Sequence, residues 1–435
     1  MDYQAVDISK WCNAGVEVLG DSGKEISLGP QTFRGLPFLV GGESSGKCFI
    51  ALGGSQGSVR IPLNERAYRV TLAHRLLETT GTLGALVGEY VFRLSGGGEE
   101  RVSLRERFEI GTLPGSGDVP GQSGEPFRAV RSLKPVLYPR YDGRWDAAGS
   151  RQTEAGWSAP SQYHFWTWEN PEPDCTIESL EIVPGGSPFI VAAVTLGHVD
   201  EHPFAREGRR PVRIVLTNSE DAQKSFDLDV QVDRGDNTYI FPLPKTSTDE
   251  FIEDSYKGWG QEQNTQSSPA YVEVSAVPSA TVTVKQGDEE VGSVNWGEVN
   301  RNGVVETPRM RFELIDHGKN WVHVTVLDDE TGRPVPCRVH FRSPEGVPFQ
   351  PHGHHNQVNS NLGSWHMDVG GDVRLGQTTY AYIDGTCQGW LPRGDVIVEV
   401  ARGFEYEPLL TKVTVKPGQR KLTFKIKRWI NMNSN

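Results

Sequence analysis

The sequence lacks any run of 18 apolar residues, so no segment is long enough to cross a bilayer as a helix. Methionine is scarce, four in 435 residues, and no stretch repeats apolar residues at helical spacing over three turns, which excludes helical bundles. Cations are not in excess. The 44 Lys and Arg against 56 Asp and Glu give a net charge of −12, a balance that disfavours a nucleic-acid partner. Cysteines are few, odd in number and far apart (Cys12, Cys48, Cys175, Cys337 and Cys387), so a disulfide framework is not expected. They read as small buried hydrophobes of a reducing compartment. The N-terminal MDYQAVDISKWCNAG has neither a basic stretch nor an apolar one, which predicts no signal peptide and a cytoplasmic protein without membrane contact. No Gly-x-Ser-x-Gly elbow occurs and no Cys stands in a nucleophile setting, so a catalytic triad is unsupported.

What is abundant is turn chemistry. With 49 Gly and 28 Pro, the chain exceeds the combined share of about 12% usual for globular proteins. These residues punctuate short runs of alternating or continuous apolar character, such as Leu36-Pro-Phe-Leu-Val40, Phe226-Asp-Leu-Asp-Val-Gln-Val232 and Val322-His-Val-Thr-Val326. The pattern predicts an all-β protein of two to three β-sandwich modules in tandem, the last immunoglobulin/transthyretin-like. Polar and Gly/Pro-rich stretches divide it into 1–200, 201–317 and 318–430, with one short helix expected in TSTDEFIED around residue 250.

Three constellations are candidates for chemistry. Gly41-Gly-Glu-Ser-Ser-Gly-Lys47 fits a phosphate loop, but Cys48 replaces the Ser/Thr and a strand rather than a helix is expected to follow, so it reads as a hairpin loop. The aromatic-rich region Tyr138–Trp168 places Trp145 and Trp157 in loops beside Asp142, Arg144, Arg151 and Glu154, a set suited to stacking and hydrogen-bonding a glycan. Its later part, Tyr163-His-Phe-Trp-Thr-Trp168, alternates as a core strand does. Finally, His354, His355 and His366, with Asp368 nearby, form the densest imidazole cluster and a candidate metal site, although their spacing matches no standard zinc pattern. Neighbouring carboxylates such as Glu99-Glu100 and Asp328-Asp329-Glu330 sit on turns, where they do not face each other across a cleft as glycoside hydrolysis requires.

The last module carries a resemblance. Val324-Thr-Val-Leu-Asp328, Thr331-Gly-Arg-Pro-Val-Pro336, Tyr382-Ile-Asp-Gly385 and Leu391-Pro-Arg-Gly394 together resemble carboxypeptidase-regulatory-like (transthyretin-like) domains. With Arg402-Gly-Phe-Glu-Tyr-Glu-Pro408 and Lys427-Arg-Trp429 the stretch is similar to the β-region that precedes the catalytic PHP-type domain of CehA/McbA-type metallohydrolases. Weaker likeness extends over 1–200, at Gln31-Thr-Phe-Arg-Gly-Leu-Pro-Phe38 and Arg151-Gln-Thr-Glu154. In that family a His-x-His metal motif follows the Arg-Trp strand, whereas here Ile430-Asn-Met-Asn-Ser-Asn435 follows, so no family metal ligand is carried over. The resemblance implies a non-catalytic accessory or interaction β-region with no cofactor of its own. Its partner would be a PHP-type domain, on the same or a separate chain, holding a divalent metal; self-association is the other expectation. A carbohydrate-binding β-sandwich and a metal-dependent hydrolase with an interdomain site are the alternative readings.

Overall fold

The computed structural model describes residues 2–42, 44–54, 56–82, 84–112, 136–137, 155–156, 163–204, 210–237, 240–254, 264–315, 318–354, 372–375 and 378–432. The protein is all-β, with antiparallel sheets packed as sandwiches. Pairing among the described strands stays within three stretches, 3–197, 210–314 and 319–426.

In the first stretch a sheet ordered Tyr3–Val6, Phe189–Gly197, Arg69–Leu76, His164–Glu169 faces a sheet ordered Val59–Glu65, Ile177–Pro184, Leu86–Leu94, Gly98–Arg105. The central strand Phe189–Gly197 is buried at every residue, as its unbroken apolar run requires. One of its faces joins the core between the sheets, and the other meets the hairpin Gly29–Phe33/Leu36–Val40. That hairpin turns through Arg34 and Gly35, both at positive φ, the conformation in which a two-residue turn matches strand twist. The strand of Tyr163, Phe165 and Trp168 is likewise core on both faces: Tyr163 and Phe165 pack beneath the hairpin, while Trp166 and Trp168 line the inter-sheet core. The Gly41–Lys47 loop leads into the strand Ile50–Leu52, so the helix that a phosphate loop needs does not follow it.

The second stretch pairs a sheet built on Ala270–Ala276, Arg210–Leu216 and Met310–Leu314 with a three-stranded one of Leu228–Val232, Thr281–Gln286 and Glu289–Asn295. The expected helix is present as Thr248–Glu253, started by a capping box in which Ser247 and Glu250 satisfy each other's backbone amides. Two further helices were not foreseen, Ser219–Gln223 and Trp296–Asn302. Their Asn218 and Asn295 N-caps, with Gly303 at positive φ closing the second, are the signals that mark them.

The third stretch is a sandwich of three and five strands. Lys319–Asp328 sits between Thr386–Pro392 and Lys421–Ile426, the latter pairing parallel. Facing it are Asp372–Leu375, Thr378–Ile383, Cys337–Arg342, Gly394–Ala401 and Leu409–Val415. Val322, Val324, Val326, Val339, Val398 and Phe424 fill the space between the sheets. The second and third stretches touch through the helix Thr248–Glu253: Thr248 donates to the Pro344 carbonyl at 2.9 Å, and Arg342 lies 3.7 Å from the ring centre of the buried Phe251. The first and second touch through Glu201, which accepts from the Tyr3 hydroxyl at 2.7 Å and from the Ser279 amide at 2.9 Å.

All five cysteines are free. Cys12, Cys48 and Cys337 are buried, and burial pushes their thiols up to about 11, 11 and 12. Cys175 and Cys387 are half-buried. Among the described residues no helix is long and apolar enough to cross a membrane.

Candidate functional site

Of the residues singled out in the sequence, Trp145, Trp157, Asp142, Arg144, Arg151 and Glu154 lie outside the described residues, as do His355 and His366. His354 is half-buried in a turn, its amide donating to the Pro351 carbonyl at 3.1 Å. Among the described residues no three His, Cys, Asp or Glu side chains are placed to hold a metal ion.

Four of the motifs quoted for the third module meet around Tyr406, through Asp328, Thr331, Tyr406 itself and Arg428, whereas Leu391-Pro-Arg-Gly394 lies at the opposite end of the strand Lys319–Asp328, where Pro392 pairs with Lys319. Its loop leaves the strand Gly394–Ala401 and bridges to Arg428 just past the last strand. The buried Tyr406 hydroxyl donates to Asp328 Oδ2 at 2.5 Å and accepts from Arg428 Nη2 at 2.8 Å. Asp328 Oδ1 also accepts from the amides of Glu330 and Thr331, at 3.0 and 2.8 Å. The Tyr406 hydrogen bond, followed by the Thr331 amide, holds the Asp328 carboxyl down at about 2. This network ties down the segment after the sandwich, and Trp429 adds to it by donating from Nε1 to the Phe404 carbonyl at 2.8 Å. The apolar side chains beside the network point outward. Phe404 is 81% exposed, Trp429 62%, Met432 63% and Ile430 44%. A rigidly anchored surface with this much bare apolar area suits a protein contact.

A second feature lies on the outer face of the three-stranded sheet. Alternation along Lys319–Asp328 sends Val322, Val324 and Val326 inward, which leaves Lys319, Trp321 and His323 on the outside. In Thr386–Pro392 the same parity exposes Gln388 and Trp390. The antiparallel register sets Trp321 opposite Trp390, with ring centres 5.3 Å apart at 77°, and Trp390 stays 55% exposed. Trp321 Nε1 donates to Gln388 Oε1 at 3.3 Å, and His352 meets its ring edge-on at 5.5 Å. His352 reaches this place because Gly389 leaves room for the crossing chain: a Cβ there would stand 3.2 Å from the Gln350 carbonyl oxygen. Beside the pair is a cleft of about 400 Å³ with Lys319, Arg393 and Arg420 on its wall. Asn320 shapes the rim, donating to the Lys416 and Gln419 carbonyls at 2.7 and 3.1 Å and accepting from Arg393 Nε at 3.1 Å. Sequence reading did not select these tryptophans, since 69 positions separate them; the available signal was a Trp on the parity opposite to the strand's valines.

The outer face of the five-stranded sheet is polar but buried. Tyr380 donates to Glu399 Oε2 at 2.8 Å, Arg342 lies 3.8 Å from Oε1, and Gln350 is 3.0 Å from His340 Nδ1. Burial raises the Glu399 carboxyl to about 7, against the opposing pull of Arg342 and the Tyr380 hydrogen bond. The group is enclosed rather than open to a substrate, and its side chains tie the sheet to what covers it.

No family model and no curated protein matches the chain. Among solved structures it is similar to the group B streptococcus pilus 2b backbone protein, at 8% identity over 86% of this chain and 95% of that one, with a TM-score of 0.20. A streptococcal ancillary pilin matches at 10% identity over 62% and 82%, TM-score 0.18, and the major pilin subunit BcpA of Bacillus cereus at 9% over 83% and 99%, TM-score 0.16. With similarity this low, the fold class rests on the chain's own sheets: an all-β protein of tandem sandwiches.

Proposed function

We propose that this chain is a non-catalytic accessory β-region of a CehA/McbA-type metallohydrolase system, in which the third module docks a PHP-type catalytic domain. The observation that carries the reading is the surface around Tyr406. There four of the motifs that resemble that family meet, and Phe404, Trp429, Ile430 and Met432 are held outward beside a buried hydrogen-bond network. In this reading the partner domain is on the same or a separate chain, holds the divalent metal and performs the hydrolysis, in the cytoplasm. The present residues supply a rigid apolar platform and take no part in proton or metal chemistry.

Hydrogen exchange with and without a PHP-type catalytic domain tests this. Addition of the domain is expected to slow exchange at 402–406 and 428–432, and the pair Phe404→Ala/Trp429→Ala is expected to abolish the complex. Unchanged exchange at both segments counts against the reading. So does ester, carbamate or phosphate hydrolysis by this chain alone that survives repurification and stops on chelation.

A further inference from the structure

We infer that the Trp321–Trp390 cleft binds an acidic oligosaccharide, one bearing carboxylates on its sugar rings. The inference stands apart from the docking role, since the cleft shares no residue with the Tyr406 platform.

Three features lead to it. First, the exposed indole of Trp390, braced edge-to-face by Trp321, offers a flat apolar surface of the kind that stacks on the C–H face of a pyranose. Gln388 and His323 stand on the same sheet face to meet hydroxyl groups. Second, the charge is local and of one sign. Among the described residues Lys319, Arg393 and Arg420 line the cleft, no Asp or Glu does, and none of the three forms an ion pair. This occurs in a chain whose net charge is −12. Arg393 is oriented through Nε by Asn320, which presets a guanidinium for a carboxylate. Third, the geometry separates a glycan from the other polyanion with flat rings. Single-stranded nucleic acid stacks successive bases on successive aromatic platforms and lays a dense line of phosphates along the protein. Here the 77° angle between the indoles presents one stacking face, which suits a single ring rather than a run of stacked bases. A sugar with a carboxylate on its ring can stack that ring on Trp390 and turn the carboxylate to the three cations.

Calorimetry on the whole chain tests the proposal, with tetramers of galacturonate, of mannuronate and of alternating glucuronate and N-acetylglucosamine as probes. At least one is expected to bind with a Kd below about 1 mM, and its methyl-esterified form roughly tenfold more weakly. Trp390→Ala is expected to weaken binding by about tenfold or more and Arg420→Gln by about fivefold, with Trp390→Phe restoring part of the loss. Failure of all three probes at ~10 mM overturns the proposal. Equal affinity for the acid and its ester, or unchanged affinity in both Trp390→Ala and Arg420→Gln, also overturns it. An oligothymidylate that binds this cleft as tightly as the best sugar reassigns it to nucleic acid and overturns it as well.

Discussion

The two sheets of the third module have outer faces built on the same alternation yet used in opposite ways. On the three-stranded sheet the outward positions hold Trp321, Trp390 and several cations, and the face is open. On the five-stranded sheet they hold Arg338, His340, Arg342, Tyr380 and Glu399, the more polar set, and most of these are buried. Polarity of a strand position therefore reports which face of the sheet it occupies, not whether water reaches it. Buried polar groups must find partners, which the second face achieves with hydrogen bonds and the Arg342 ring contact to Phe251. Exposed rings are tolerated singly, and a pair of them with a cation-lined cleft is a reason to look for a ligand.

The sharpest way to break this comparison is to truncate one residue on each face. Arg342→Ala removes a cation from beside a buried carboxylate and is expected to lower the unfolding free energy by about 3–5 kcal/mol at pH 8 in urea titrations. Trp390→Ala is expected to change it by no more than about 0.5 kcal/mol. Comparable losses at both positions would show that the two faces are covered alike.

A smaller effect follows from Glu399. Its folded-state carboxyl at about 7 lies above the ordinary carboxylate range, so the folded protein holds a proton that the unfolded chain releases. The stabilisation is complete below about pH 4.5 and is lost as pH rises through about 7, a fall of roughly 3 kcal/mol. Urea midpoints between pH 5 and 7.5 check this, and Glu399→Gln should flatten the slope. A slope that survives the substitution assigns it elsewhere. Smaller than the Glu399 effect is that of Tyr406→Phe, which removes one hydrogen bond to a charged acceptor and is expected to cost about 1–2 kcal/mol. Because that bond is the main reason the Asp328 carboxyl is low, the variant should also show a shallower loss of stability than the parent as acid is added below pH 4. Coincident acid-unfolding curves would show that Thr331 and Glu330 suffice for Asp328.

Sequence legibility follows the same division between local and non-local causes. The continuous run at Phe189–Gly197, the alternation at Val322–Val326 and the Ser247–Glu250 capping box are local, and each appears where its pattern places it. The short helix at Trp296–Asn302 was also locally marked, by Asn295 and Glu298, but a strand-like context obscured it. Local density of aromatic residues drew attention to Tyr138–Trp168, of which the described aromatic residues, within Tyr163–Trp168, are chiefly core. The Trp321–Trp390 pair escaped because it exists only through strand register, a relation between residues distant in sequence. The burial of Glu399 escaped because its face is closed by groups distant in sequence, with Tyr380 on Glu399, Gln350 on His340 and Phe251 under Arg342.

The parallel pairing of Lys421–Ile426 with Lys319–Asp328 also constrains the order in which the molecule is completed. During synthesis the opening strand of the third module has one edge unoccupied until the last strand emerges, more than a hundred positions of chain later counted from Lys319 to Ile426. Arg428 and Trp429 follow directly, so the Tyr406 platform assembles only on a module already closed. The ribosome thus delivers Arg428 and Trp429 after every strand of the sandwich beneath them, and the Tyr406 network forms only once that sandwich can close.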